Sequence, residues 1–167
     1  KGTHYRIGQA HGEALREQIK KTLNIYLRHW NLPTPNLEAY IAGFRTSVRH
    51  TLPHLAEEIE GIAHGANLSS SAIWAINSRT ELLGAFTLPE CTAIGIKKEY
   101  IETNQPTLAQ NWDFLNTLRG LTFVADIRPN DKPPIKTMIE PGMLAKIGLN
   151  PYLGICLNFL NTSIKPT

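Results

Sequence analysis

The sequence predicts an α+β domain, with helices in the first half and antiparallel strands in the second. Three observations carry this. Apolar residues recur at helical spacing as far as about Leu83. From Cys91 onward the period changes to two. Turn-forming clusters separate the later runs, and no helical stretch alternates with them as a parallel sheet would require.

Taken in order, "YRIGQAHGEALREQIKKTLNIYLRHW" places Ile7, Leu15, Ile19, Leu23, Tyr26 and Leu27 near one face and predicts a single helix. Glu17 and Lys21 add an i,i+4 pair in the favourable order. "NLPTPN" then breaks the chain twice with proline. A second helix is predicted from Leu37 to His50. A third opens at Pro53, because proline suits a first helical turn. Its Leu55, Ile59, Ile62 or Ala63, and Ala66 repeat at helical spacing. Glu57, Glu58 and Glu60 favour its N-terminal half and read as a solvated surface. "ANLSSS" ends it, and Ser69 or Ser70 caps a fourth helix running through Ile73, Ile76 and Leu83.

After Gly84 come the strand candidates "CTAIGIKK", "TLAQNWDF", "GLTFVADIRP", "IKTMIE" and "YLGICLNFL". A turn around Asn104-Gln105-Pro106 separates the first two. "RPNDKPP" is a turn by composition, so its flanking runs should pair as a hairpin.

At 167 residues, with 42% hydrophobic and 19% charged residues, the chain suits one core and one domain. No apolar run approaches the roughly 18 residues of a membrane span, so no membrane partner is expected. The net charge of +3 is scattered, and Lys20-Lys21 and Lys97-Lys98 lack interleaved aromatics, so nothing indicates a nucleic-acid partner. Cys91 and Cys156 match no metal spacing. They could form one disulfide, but free thiols in a reducing, cytoplasmic compartment fit better. The chain starts at Lys1 rather than Met and stops at "NTSIKPT" after a strand, so both ends are expected to be cut and the domain to be incomplete.

The histidines offer little chemistry. His50 and His54 are four apart, but Pro53 between them opens a new helix, so no metal site is expected. His4 and His11 read as structural. Gly142 and Gly148 flank a strand junction rather than a phosphate-binding strand-to-helix turn, and no cofactor is expected. Arg79 and Glu81 in "NSRTEL" lie on the last turn before the cysteine. They form either a buried network that positions the following loop or a surface pair.

Cys91 at the head of a strand has two readings. It is an inert, small buried residue, or it is a nucleophile. No histidine lies within thirty residues downstream to act as its base, although an upstream one could meet it in the fold, as in a papain-like pair. Cleavage of the Glu90–Cys91 peptide would supply the base differently. The new α-amine, with a reference pKa of about 7.7–8.0, would take the thiol proton. In "QNWDF", Asn111 and Asp113 alternate with Trp112 and Phe114. If that strand is half buried, the two polar residues face the cleft of Cys91, and Asp113 could accept from the ammonium or hold a substrate group. The alternative is a polar side facing solvent.

"PHLAEEIEGIAHGANLS", "INSRTEL", "ECTAIGI", "AQNWDF", "IEPGMLAKIGLN" and "GICLNFL" occur in an order that resembles the isopenicillin N acyltransferase family of N-terminal-nucleophile hydrolases, from about Gly8 to Leu160. The resemblance implies a four-layer αββα sandwich, here a truncated part of it, made from a self-cleaving precursor. Residues 1–90 would become a small helical subunit and residues 91–167 the start of a catalytic one, the two products staying associated. Cys91 would attack the carbonyl of Glu90 and, once freed, an amide or thioester. Asp113 matches the family's active-site aspartate, and the Thr92 backbone N–H would donate to the oxyanion. Gln110-Asn111-Trp112-Asp113 stands where bile salt hydrolases have Arg-Asn-x-Asp. Gln110, Asn111, Arg79 and Glu81 are therefore candidate supporting residues.

The implied substrate is a small acyl-amide or acyl-thioester, with no cofactor or metal and a homo-oligomer as a further expectation. Glu90 stands where the fungal acyltransferase has Gly, and Pro141 and Pro151 stand where smaller residues are usual. The asparagine that completes the family's oxyanion hole lies beyond position 167. The alternative is a non-catalytic relative that serves as a binding or scaffold domain without self-cleavage.

Overall fold

The computed structural model describes residues 1–30, 37–83 and 91–158. Helices precede strands, in the predicted order. They are α1 (His4–Ala14), α2 (Arg16–Trp30), α3 (Leu37–Thr51), α4 (Pro53–Ala66), α5 (Ser70–Asn77) and α6 (Arg79–Leu83). The strands follow: β1 (Cys91–Ile96), β2 (Thr107–Trp112), β3 (Phe123–Ile127), β4 (Ile135–Ile139), β5 (Gly148–Leu149) and β6 (Gly154–Ile155). The result is a mixed fold, a helical layer with two small antiparallel sheets. The "NLPTPN" break, the change of period at Gly84, Glu90, and the Phe159–Leu160 end of the last strand candidate lie outside the described residues.

Where one helix was predicted over residues 5–30, two form, with a kink at Leu15 (φ −117°, ψ 22°). The physical reason is a glycine seam. A Cβ at Gly8 or Gly12 would strike the α4 backbone at Glu58 or Ile62, and one at Gly61 or Gly65 would strike α1 at Tyr5 or Gln9. α1 is thus held backbone to backbone on α4, while α2 turns to bury Ile19, Tyr26 and Trp30. The fourth predicted helix also divides. Ser69 caps α5 by accepting from the Ala72 N–H (3.3 Å), and Ser78 Oγ donates back to the Trp74 carbonyl (3.0 Å) where α5 stops. Such back-bonding competes with the helical ladder.

Two charge assignments need correction. Glu17 pairs with Lys20 (2.8 Å) rather than Lys21. The glutamates of α4 are not a uniformly solvated face, since only Glu57 is exposed. Glu58 is buried and bonds to His4 Nδ1 (3.0 Å). Glu60 accepts from Trp74 Nε1 (2.9 Å) and Arg49 (2.8 Å). These partners come from other helices, so α4's own sequence does not reveal them. His50 lies on α3 and His54 on α4, as Pro53 implied.

The core is mostly helical, built on Ile19, Tyr26, Ile41, Ile59, Ile62, Ile73, Trp74 and Ile76. β1 and β2 form one hairpin, and β3-β4-β5-β6 form the second sheet. β3 and β4 pair across the 128–134 turn as predicted, with Phe123 opposite Ile139 and Ile127 opposite Ile135. β5 was not foreseen, because two residues carry no readable period. It is held by pairing with Lys136 and Thr137 of β4. Among the described residues, no helix is long and apolar enough to cross a membrane.

Candidate active site

β1 begins at Cys91, whose direct partner on β2 is Trp112. Directly opposed residues of an antiparallel pair share a face. Cys91, Trp112, Ala93 and Gln110 therefore lie on one side of the hairpin, and Thr92 and Asn111 on the other. This face covers a cavity of about 210 Å³ that is lined by Cys91, Gln110, Trp112, Asp113, Arg79 and Lys146, among others. Trp112 and Phe114 alternate onto the cavity side and stack, with ring centroids 5.2 Å apart.

Beneath the aromatic pair sits a buried charge cluster. Glu140 follows β4 and is fully buried. It accepts from the Tyr26 hydroxyl (2.5 Å) and pairs with Lys146. Arg79 Nε lies 3.7 Å from the same carboxylate. The Lys146 ammonium stands 3.1 Å from the Trp112 ring centroid, and the Arg79 guanidinium lies 5.3 Å from that of Phe114. A desolvated cation over an aromatic face gains about 2 kcal/mol. One carboxylate thus serves two cations. Burial, with the Arg79 charge beside it and against the pull of Glu140, lowers Lys146 from 10.5 to about 7. Burial also pushes the Tyr26 phenol well above its ordinary value, so Tyr26 stays a donor.

Local geometry fixes this cluster. Glu140 to Met143 is a turn closed by the Met143 N–H donating to the Glu140 carbonyl (2.9 Å). Pro141 presets its second position, and Gly142 takes φ +91° at the third, the requirement of a type II turn. Three polar bonds pin the turn to the helices. The Gly142 N–H donates to His11 Nε2 (3.1 Å), and Asn77 Nδ2 donates to the Gly142 carbonyl (2.8 Å). Asn77 Oδ1 accepts from the Leu144 N–H (3.0 Å). His11 can accept because it is neutral, and burial lowers its pKa from 6.5 to about 4.

Of the residues singled out in the sequence, Cys91, Gln110, Asp113 and Arg79 come together at the cavity. Asp113 is exposed at its rim and accepts from Asn111 Nδ2 (3.1 Å). Asn111 does not share the Cys91 face, because the register sets it opposite Thr92. Gln110 grips the chain beyond β6. Its side-chain amide donates to the Leu157 carbonyl, and its Oε1 accepts from the Leu157 N–H (2.8 Å). Arg79 and Glu81 do not pair as imagined, since Arg79 turns inward to Glu140 while Glu81 is exposed. Glu90 lies outside the described residues. Both cysteines are free and half-buried.

Lys146, Glu140 and Asn77 were missed. For the first two a signal existed: one acidic and one basic residue inside the otherwise apolar run "IEPGMLAKIGL". Charges in such a run need partners.

Cys91 is thus a half-buried cysteine that heads a strand over an aromatic and charged cavity. The chain is homologous to an isopenicillin N acyltransferase, a relationship consistent with the N-terminal-nucleophile hydrolases. Over 95% of its length it is 31% identical to the 40 kDa form of the acyl-coenzyme A:6-aminopenicillanic-acid acyltransferase of Emericella nidulans. It spans 44% of that relative's length. No family model matches the chain.

Proposed function

We infer that this chain is part of a self-cleaving cysteine amidohydrolase or acyltransferase with Cys91 as nucleophile. The carrying observation is the position of Cys91, at the first residue of β1 and on the wall of a cavity that Asp113 also lines. Within this reading the Glu90–Cys91 bond is the cleavage site. Residues 1–90 and 91–167 then belong to two associated subunits of a four-layer αββα sandwich.

Cleavage frees the Cys91 α-amine, which takes the thiol proton. The thiolate attacks an amide or thioester carbonyl, and the acyl-enzyme passes its acyl group to water or an amine. The Thr92 N–H donates to the oxyanion, and Asp113 accepts from the α-ammonium or orients the substrate. Met138, Ile147 and Leu157 add apolar wall to the cavity, which suits an acyl chain. The relative's name, an acyl-coenzyme A-dependent transferase, supports a thioester as donor and a small amine as acceptor.

Mass spectrometry of the full-length protein should find a new N-terminus at Cys91. Cys91→Ala should lose both that cleavage and acyl release from acyl-coenzyme A or N-acyl amine substrates. An intact chain, with activity unchanged in Cys91→Ala, defeats the reading and leaves the non-catalytic scaffold in its place.

A further inference from the structure

Self-cleavage poses a problem that the mature enzyme does not have. Before the bond breaks, the Cys91 nitrogen is an amide, and an amide nitrogen cannot take the thiol proton. Another base must act once, in the precursor. Among the described residues, the side chains lining the cavity with Cys91 that could accept a proton near neutral pH are Asp113 and Lys146. Asp113 is exposed at the rim and already accepts from Asn111. Lys146 is enclosed, its side chain 6% exposed, and its ammonium lies over the ring of Trp112, the residue directly opposite Cys91.

We propose that Lys146 is the base that takes the Cys91 thiol proton in the self-cleavage step, so that a Lys146–Glu140–Arg79 cluster serves precursor maturation. This rests on the reading of Cys91 as a self-cleaving nucleophile. The charge count of the cluster explains the choice. Among the described residues, Glu140 is the one carboxylate within the buried cluster that pairs with Arg79 and Lys146, one negative charge against two positive, while Asp113 stands exposed at the cavity rim. With Lys146 neutral the cluster balances. With the proton moved from Cys91 to Lys146 it balances again, because the thiolate is now the second negative charge. Proton transfer therefore exchanges two electrically satisfied arrangements inside a desolvated site. The low pKa of Lys146 agrees, and the Cys91 charge acts on it in the direction that holds the proton once transferred. The groups facing Lys146 are Glu140 after β4, Arg79 of α6, Cys91 of β1 and Asp113 after β2, with Tyr26 of α2 bonded to Glu140.

The step balances as follows. Neutral Lys146 Nζ takes the Sγ proton, and the thiolate forms a C–S bond to the carbonyl carbon of residue 90. The tetrahedral intermediate breaks its C–N bond, and the leaving Cys91 nitrogen takes the proton back from the Lys146 ammonium. Water then hydrolyses the thioester, releasing the residue-90 carboxylate and the Cys91 thiol, and the remaining proton goes to the new Cys91 α-amine. Lys146 ends as it began.

The test is the first-order rate at which the Cys91 N-terminus appears in freshly translated full-length protein, read by mass spectrometry across a pH series. In the wild type, the rate should rise about tenfold per pH unit below neutrality and level off near pH 7. Lys146→Arg keeps a long hydrogen-bond donor over Trp112 and opposite Glu140 but, being permanently charged, cannot act as a base near neutral pH. It should slow cleavage by roughly 10²–10⁴-fold, the usual worth of general-base catalysis. Glu140→Gln removes the anion that raises Lys146, so the levelling should move to lower pH. A purely structural role would not shift the profile. If Lys146→Arg fails to fold by circular dichroism, the wild-type profile decides. A rate still rising tenfold per unit through pH 9 overturns the proposal, as does a folded Lys146→Arg protein that matures at the wild-type rate. A wild type that never cleaves removes the Cys91 reading itself, a result distinct from either.

Discussion

In the helical region, α1 and α4 meet through Gly8, Gly12, Gly61 and Gly65 with no room for a Cβ, and Ile19, Ile41, Ile62 and Trp74 are sealed beneath. In the strand region Ile94, Leu108, Val124, Leu149 and Ile155 are all exposed. There the chain is held to the helices by discrete polar bonds, from His11 and Asn77 to the Gly142 turn and from Tyr26 to Glu140. The first region is fixed mainly by volume, and the second adds hydrogen bonds to the few apolar side chains it buries, Leu118, Ile139 and Met143. Cys91, Lys146 and Arg79 sit where the two meet. Under the proposed function that placement suits chemistry, because polar clamps would fix the surroundings of Cys91 without filling the cavity.

The comparison breaks most sharply at the glycine seam. Gly61→Val should cost about 3 kcal/mol or more, because the new side chain meets the α1 backbone rather than a movable side chain. Urea unfolding measures it, and a loss under about 1 kcal/mol would mean that the seam is loose.

The clamp side is probed next by acid. His11 has a folded pKa of about 4 against an ordinary 6.5, so the unfolded chain binds its proton first. The His11 contribution is full above pH 6.5 and is lost as pH falls through 4, to a total of about 3 kcal/mol. His11→Gln, which keeps an acceptor for the Gly142 N–H, should flatten this part of the stability curve. An unchanged slope between the two proteins would contradict it.

Asn77→Ala removes a donor and an acceptor from the same turn and should cost about 2 kcal/mol. The same variant should weaken the cavity more than its stability loss suggests, read as slower labelling of Cys91 by a thiol-reactive acyl analogue. Equal labelling in the folded variant would show that the turn needs no clamp.

The smallest effect runs the other way. Thr22 Oγ1 is buried in α2 with no hydrogen-bond partner among the described residues, so Thr22→Val should stabilise by about 1 kcal/mol. A destabilised variant would reveal a polar contact at that hydroxyl.

Much of this was legible beforehand. The order of helices before strands, the Pro53 start of α4, the Ser69 cap and the β3–β4 hairpin each depend on neighbours in sequence, which is why spacing and turn chemistry reported them. The placement of Cys91 at the first residue of β1 was equally local. The kink at Leu15 was hidden because it answers to glycines on α4, some fifty residues away. The buried state of Glu58 was hidden for the same reason, since its partner His4 lies 54 residues off. Of the two polar residues in "QNWDF", Asp113 lines the Cys91 cavity, while Asn111 lies on the other side of the hairpin. Period two says which residues share a face, and only the register against β1 says which face Cys91 is on.

The sequence by itself determined the element types, the strand-head cysteine and its six ordered family motifs, because these are written in residues adjacent along the chain. Tertiary structure alone decided that Arg79 turns from Glu81 to Glu140, and that Lys146 ends above Trp112. Where a buried charge goes is settled by which opposite charge survives desolvation beside it, and that partner was 61 residues away for Arg79.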